Sequence, residues 1–388
     1  MRIAGLSTLV MGLLLVSSCT SPPGAPKVEQ AAPAAPVPVM KAEITPADKA
    51  TDLPISTEIG TSVSDGEVQE VTLVDAQGGK VAGGLRADKS SFVPDEPLKF
   101  AQTYTATVVA KGADRVETLK TTFTTMADPH NRGGTGLYLQ PSEVYGVAMP
   151  MVVEFTSDVE DGARAGVQKR LFVTTNPDQP GVWSWTGPRQ VTYRARDYWR
   201  PGTTITVRAA LDGVPFGGGR YGDTDRRASV KITPNPVELF IDNGSKQLKV
   251  KENGTETRSI PVSLGKPSTP SSSGVMVIMD KRVRTVFDTT GEPGDQYVAD
   301  ISYAQRLTWG GEFIHAAPWS VGDQGVRNVS HGCVNMSWAN AEWLFGVTHI
   351  GDPVTVVGTE QALANGNGFT AWNQSWDEHV KGSALPGR

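Results

Sequence analysis

The chain has 388 residues, which is too long for one typical domain and indicates two or three. Charged residues make up 20% of it and hydrophobic residues 38%, as is ordinary for globular proteins. The formal net charge is −5, and no basic tract with interleaved aromatic residues is present in the sequence. This balance argues against nucleic acid as a partner.

The first 18 residues have the pattern of an export signal. A short basic end, Met1-Arg2, precedes an apolar run that is too short to span a bilayer as a helix. The letters VSSC at 16–19 resemble a lipobox, the signal of bacterial lipoproteins, which ends in the cysteine that receives the lipid. We therefore expect a lipoprotein signal peptide at 1–18, lipidation of Cys19, and an exported protein anchored to the cell membrane. Ordinary secretory cleavage nearby is the alternative.

Residues 19–40 are rich in proline and alanine and are predicted to form a tether. Short runs of alternating threonine and valine, broken by turns, then fill 41–128, and the same rhythm repeats over 129–234. Several short strands at this spacing predict a β-sandwich of immunoglobulin-like type in each segment. The Cys…Trp…Cys signature of antibody domains is absent from both, so the prediction depends on strand spacing.

The segment 235–358 is predicted to be a third, mainly β domain with one helix. Val237, Leu239 and Ile241 alternate with polar residues, and Asn-Gly pairs at 243–244 and 253–254 predict turns. One helix is expected after Ser337, which can cap it, and Gly346 can end it.

The last segment, 359–388, is predicted to be a C-terminal extension with a loop-like sequence. We expect its tryptophans, Trp372 and Trp376, to pack on the third domain rather than to bind a ligand.

The chain has two cysteines, and a lipidated Cys19 would leave Cys333 without a disulfide partner. Cys333 is then a nucleophile, a metal ligand or an inert buried thiol. His331 precedes it by two residues, and Gly332 suits a tight turn whose N–H groups face a bound carbonyl oxygen. His315 ends a predicted strand, and a hairpin-like return would bring it alongside the thiol as a base.

The helix expected after Ser337 would place its positive end near the sulfur and lower the pKa of Cys333. A zinc site formed by His315, His331 and Cys333 is the competing interpretation, but no CxxC or HxxxH pairing supports it.

The stretch SHGCVNM at 330–336, with HAAPWS at 315–320 before it, resembles the active-site signature of the L,D-transpeptidases of the YkuD fold. The resemblance covers about residues 236–388. A lipobox, two immunoglobulin-like domains, a catalytic β-domain and a C-terminal extension with tryptophans together resemble the membrane-anchored members from actinobacteria.

This resemblance implies that Cys333 is the nucleophile and His315 the general base and acid. The backbone carbonyl of Ala316 would orient His315, and backbone N–H groups around His331, Gly332 and Cys333 would bind the oxyanion. Ala316 stands where the family often has a serine, which puts a hydroxyl role there in doubt but not the base.

The resemblance also implies three substrate-binding positions. Tyr297 matches a tyrosine of the loop that caps the site, with a surface aromatic as the alternative. Asn335 would shape the pocket or serve a structural hydrogen bond. Phe287 falls where related enzymes have an apolar residue, and packing is its expected role.

The implied activity is a cysteine acyltransferase that links peptidoglycan stem peptides by 3→3 cross-links and releases D-alanine, on the side of the membrane that faces the cell wall. Its partners would be a tetrapeptide donor and an amine acceptor, with carbapenem β-lactams as inhibitors and no cofactor or metal. An L,D-carboxypeptidase that uses water as acceptor is one alternative. A wall-binding scaffold without activity is another.

Overall fold

The computed structural model describes residues 39–113, 115–290, 296 and 298–385. The expected signal peptide, the lipidation residue Cys19 and the greater part of the tether lie outside these residues, as does Tyr297. Within the described part of the chain, no helix has the length and apolar character needed to cross a bilayer.

The first domain is a sandwich of two four-stranded sheets, with orders β1-β3-β6-β5 and β2-β8-β7-β4. In β7 every second residue from Tyr104 to Ala110 is buried, because alternate side chains of a strand point to opposite faces. Phe123 and Phe92 from other strands belong to the same core. The strands are β1 (Lys41–Thr45), β2 (Ala50–Leu53), β3 (Ile59–Ser64), β4 (Gly66–Asp75), β5 (Gly83–Leu85), β6 (Ser91–Pro94), β7 (Thr103–Gly112) and β8 (Val116–Thr125).

The second domain is also a sandwich, with sheet orders β10-β12-β15-β14 and β11-β19-β16-β13, and a small sheet β17-β18-β9 at one side. Trp183, Tyr193, Trp199 and Phe216 are among its large buried side chains. The strands are β9 (Arg132–Gly133), β10 (Thr135–Leu137), β11 (Val144–Tyr145), β12 (Met151–Phe155), β13 (Leu171–Asn176), β14 (Gly181–Gly187), β15 (Gln190–Ala195), β16 (Thr204–Ala210), β17 (Pro215–Gly217), β18 (Arg220–Gly222) and β19 (Asp225–Ile232).

The second sandwich also contains a helix, α1 (Asp161–Lys169), that the sequence did not predict. Val167 is its one large apolar residue that is buried, and two glycines lie within it. A helix without an apolar stripe has no periodic signal to detect.

The third domain has a six-stranded sheet, β22-β21-β20-β28-β23-β29, and a four-stranded sheet, β24-β25-β26-β27. Their core includes Leu239, Ile241, Ile314 and Val354. The strands are β20 (Val237–Asp242), β21 (Gln247–Glu252), β22 (Thr255–Pro261), β23 (Ser272–Val277), β24 (Asp280–Asp288), β25 (Val298–Arg306), β26 (Phe313–Ala316), β27 (Val334–Met336), β28 (Pro353–Val357) and β29 (Gln361–Ala362).

Helix α2 (Trp338–Val347) packs on β25 and β26 and is the helix that the sequence predicted. The side chain of Ser337 accepts a hydrogen bond from the Asn340 N–H, so the predicted N-cap is confirmed. The helix continues past Gly346 and ends at Val347, so the predicted end was wrong by one residue. The expectation of a mainly β protein is confirmed by all three domains.

The C-terminal extension contacts two domains. Asn373 Oδ1 accepts a hydrogen bond from Val275 N–H of the third domain, 2.9 Å away. Trp372 Nε1 donates to the Ala148 carbonyl of the second sandwich over 2.7 Å. The short helix α3 (Trp376–Lys381) follows, and the guanidinium of Arg194 lies over both tryptophan rings, 4.7 Å from that of Trp372 and 5.3 Å from that of Trp376. The tryptophans thus pack on the second sandwich, whereas the sequence predicted packing on the third domain.

Candidate active site

The two central side chains come from neighbouring strands. β26 carries His315, and Cys333 immediately precedes β27. The strands run parallel, with His315 opposite Asn335. The hairpin-like return expected from the sequence was therefore wrong. A parallel pair needs a crossover of about a dozen residues or more, and the long segment between His315 and Cys333 has room for one.

His315 is buried, with 3% of its surface exposed. Its Nδ1 lies 2.9 Å from the carbonyl oxygen of Ala316. Because a carbonyl only accepts, Nδ1 carries the proton and Nε2 is left as an acceptor. Burial lowers the pKa of His315 to about 4, against a smaller opposing effect of the Ala316 hydrogen bond. The resting imidazole is therefore neutral at neutral pH.

Cys333 is also buried, with 7% of its surface exposed. Its Sγ–H donates to the Gly311 carbonyl, 3.7 Å away. Burial raises the pKa of Cys333 to about 12, a hydrogen bond from the Phe313 backbone opposes this, and the charge of Glu312 adds to it.

The lowered pKa that the sequence predicted for this thiol was thus wrong. Helix α2 begins five residues after Cys333, and the field of a helix end falls off within about one turn, whereas burial acts on the sulfur directly.

The turn from Ser330 to Cys333 is held by buried hydroxyl groups. Gly332 has φ +123°, in the region that favours glycine. Its N–H donates to Ser330 Oγ over 3.2 Å, and its carbonyl accepts from Ser271 Oγ over 2.6 Å. Ser330 Oγ donates in turn to the Cys333 carbonyl over 2.6 Å. The Gly332 N–H, expected among the oxyanion donors, is therefore already used inside the turn. No hydrogen bond among the described residues uses the Cys333 N–H, which leaves it as a donor.

His331 lines the cavity, where the resemblance placed it as a pocket residue. It is exposed, and its Nε2 lies 3.1 Å from Lys266 Nζ. Asn335 is buried, and its Nδ2 donates to Ser320 Oγ over 3.2 Å, so its amide has a structural hydrogen bond at the cavity wall. The ring of Phe287 lies 5.6 Å from that of His315, edge to face, and packs on it.

A cavity of about 410 Å³ brings most of these residues together. His315, His331, Cys333, Asn335 and Phe287 all line it. Further walls, which the sequence did not assign, come from Ile301 of β25, Asp323, and Trp319, whose ring lies 6.1 Å from that of His315. The sequence could have predicted Trp319 as a site residue, because it stands in the same HAAPWS stretch as His315. In the structure it is 62% exposed.

Metal ligands do not converge in the described ranges. No group of three His, Cys, Asp or Glu side chains there has the geometry to hold an ion, and this includes the zinc set of His315, His331 and Cys333.

Comparisons with known proteins identify families and relatives that this chain is similar to. A family model described as the L,D-transpeptidase catalytic domain matches residues 236–356, and one described as a bacterial Ig domain matches 50–215. L,D-transpeptidase 2 of Mycobacterium tuberculosis (strain CDC 1551 / Oshkosh) is 33% identical over 90% of this chain and 85% of its own length. L,D-transpeptidase 5 of strain ATCC 25618 / H37Rv is 32% identical over 99% of this chain and 86% of its own.

The solved structure of the L,D-transpeptidase LdtMt1 in complex with imipenem is 33% identical and covers 58% of this chain and 99% of that one, with a TM-score of 0.49. The resemblance predicted from the two active-site stretches is confirmed by the sequence relatives. From these matches over nearly its whole length, the chain belongs to the L,D-transpeptidase family.

Proposed function

We propose that the protein is a peptidoglycan L,D-transpeptidase that forms 3→3 cross-links by cysteine acyl transfer. The observation that carries the proposal is that Cys333 and His315 line one cavity while His315 Nε2 is left as a proton acceptor. A thiol beside an oriented imidazole is the arrangement that transfer through a thioester requires. Membership of the L,D-transpeptidase family supports the same activity.

In the first half-reaction, Cys333 Sγ attacks the carbonyl that joins the third stem residue to D-alanine. Because thiol and imidazole both rest in the neutral form, His315 Nε2 takes the thiol proton as the carbon–sulfur bond forms. The Cys333 N–H stabilises the oxyanion. The imidazolium then protonates the D-alanine nitrogen, the carbon–nitrogen bond breaks, and a thioester remains.

In the second half-reaction, the side-chain amine of another stem peptide attacks the thioester. His315 Nε2 takes a proton from the amine and returns it to the sulfur as the thiol leaves, so the enzyme is restored. The apolar walls from Phe287, Ile301 and Trp319 disfavour water at the thioester and favour transfer to the amine.

The test is incubation of the whole protein with a purified disaccharide tetrapeptide, followed by mass spectrometry. A cross-linked dimer with loss of D-alanine is expected. Tripeptide alone would assign carboxypeptidase activity, and no turnover would assign a scaffold. Cys333→Ala should give no product while it keeps the circular dichroism of the wild type, and a fully active variant would refute the mechanism.

The two histidines of the cavity form a matched pair for a second test. We expect His315→Gln to lower the rate of acyl-enzyme formation by about a hundredfold or more, since it removes the general base. His331→Gln should lower it by less than about tenfold, because its Nε2 faces Lys266. Equal losses in the two variants would contradict this assignment.

We propose that carbapenems acylate Cys333, since their strained lactam carbonyl is an acyl centre of the same kind. Intact-protein mass spectrometry should show one adduct on the wild type and none on Cys333→Ala. An adduct that survives in this variant would place the reaction elsewhere.

We also propose that Cys19 carries a lipid and holds the protein to the outer face of the cell membrane. The lipobox-like stretch at 16–19 supports this proposal. In an expressing bacterium, Cys19→Ala should move the protein out of the membrane fraction, and Cys333→Ala should not. A wild-type protein without lipid in its mass spectrum would refute it.

A further inference from the structure

Glu312 lies beneath the turn that carries Cys333. It directly precedes β26, and its N–H donates to Thr308 Oγ1 over 3.1 Å. Its Oε1 accepts from the Ser272 N–H over 2.7 Å. A Cβ built on Gly332 would meet the Cγ of Glu312 at 3.7 Å, so the side chain lies directly against the turn. The Ser272 N–H thus holds one oxygen of this carboxyl group, on the side of the turn that carries Cys333.

No cation among the described residues neutralises this carboxyl group. No ion pair there includes Glu312, and its Oε2 is buried without a hydrogen-bond partner. Burial raises the pKa of Glu312, while hydrogen bonds with Ser272 and Thr308 oppose the rise. A negative charge in such a place acts strongly on its neighbours, because little solvent screens it.

Cys333 is the neighbour on which this charge acts. The charge of Glu312 raises the pKa of Cys333, in addition to the larger effect of burial. The other titratable groups at the site are His315, on β26, His331, within the turn, and Asp323, which pairs with Arg327. His315 rests neutral, and His331 is exposed beside Lys266. Glu312 is therefore the buried acidic group that opposes a thiolate at Cys333.

We propose that Glu312 is a positioning residue that adds to burial in keeping Cys333 in its thiol form until His315 accepts the proton during attack. The inference rests on the proposed role of Cys333 as nucleophile. Its consequence is a resting enzyme with little thiolate, and thiolates are the species that alkylating agents and oxidants attack. Reactivity would then be confined to the moment at which an acyl donor occupies the cavity.

The test is the pH profile of alkylation of the whole protein by iodoacetamide, from pH 6 to 10. Glu312→Gln keeps the size of the side chain and removes the charge. We expect its whole profile to lie at lower pH than that of the wild type, with alkylation about three- to tenfold faster at every pH in this range, because the pKa of Cys333, about 12, keeps both proteins below their limiting rates. Glu342→Gln, which removes an exposed carboxylate bonded to Tyr303, should leave the profile unchanged.

A variant that keeps the charge separates an electrostatic effect from a structural one. A loosened turn would accelerate the alkylation of Glu312→Asp, which shortens the side chain but keeps its charge, as much as that of Glu312→Gln, and that result would overturn the proposal, as would an unchanged Glu312→Gln profile. Glu312→Ala is measured in the same way, and its alkylation profile should also shift to lower pH. Loss of the fold in both Glu312→Gln and Glu312→Ala would assign Glu312 to stability instead and would also overturn the proposal.

The same experiment separates this inference from the proposed function. Iodoacetamide needs no acyl donor, so a displaced profile in a protein that does not cross-link stem peptides would leave the inference standing and refute the function. Cross-linking by the wild type together with an unchanged Glu312→Gln profile would support the proposed function and refute the inference about Glu312.

Discussion

Acylation of Cys333 should be nearly independent of pH between about 5.5 and 9. Burial lowers the pKa of His315 to about 4 and raises that of Cys333 to about 12. At pH 6 about 99% of an imidazole with the lowered pKa is neutral, against about a quarter for one that titrates near 6.5. Between pH 8 and pH 6 the rate should therefore stay within about 10%, whereas an ordinary histidine would lose about fourfold.

The assay is the single-turnover loss of carbapenem absorbance in a stopped-flow instrument, at constant ionic strength and at steps of half a pH unit. Circular dichroism at each pH checks that the protein stays folded. A fourfold fall from pH 8 to pH 6 with a midpoint near 6.5 would show that burial does not control His315. A rate that rises about tenfold per pH unit up to pH 9 would show that preformed thiolate is the attacking species. Either result would refute the conclusion that the Cys333 thiol and the His315 imidazole both rest in the neutral form.

Three further predictions concern the surrounding structure. Gly332→Ala should cost about 1–3 kcal/mol through its φ of +123° and slow acylation at least tenfold, as thermal melting and carbapenem kinetics would show. Trp372→Ala should lower the free energy of unfolding in urea by about 2–4 kcal/mol, because the packing of its partly buried ring is lost together with the bond to Ala148. The exposed Trp338→Ala should change it by less than about 1 kcal/mol. Burial raises the pKa of Asp352 from 3.8 to about 7, so the folded state binds the carboxyl proton more tightly than the unfolded state, and stability is lost as pH rises toward and through 7. Asp352→Asn should therefore be about 2–3 kcal/mol more favourable relative to the wild type at pH 8 than at pH 5.

Local sequence signals predicted much of the third domain. The alternation of Val237, Leu239 and Ile241 matches three buried positions of β20. The second Asn-Gly pair, 253–254, has positive φ at both residues and joins β21 to β22, as its sequence predicted. Such features depend on residues a few positions apart, so the sequence contains the whole signal.

Other features had no local signal. The apolar residues of β26 and β27 fit a parallel or an antiparallel pair equally well, and the path of the chain between them decides the direction. The C-terminal tryptophans were predicted to pack on the third domain, but they pack on the second sandwich. No local sequence signal indicated this, because Arg194 and Ala148 are far from them in the chain. The sequence likewise placed Cys333 near a positive helix end without revealing how deeply the sulfur is buried.

The sequence by itself determined the family, the mainly β architecture and the identity of the thiol and histidine that share the cavity, because these depend on short motifs and on alternation between neighbouring residues. Only the tertiary structure decided the protonation states of this thiol and this histidine. His315 is oriented by the Ala316 carbonyl, and both groups are neutral because strands and loops from distant parts of the chain remove water from around them. The solvation free energy of a group depends on everything packed against it, and that is a property of the fold rather than of any stretch of sequence.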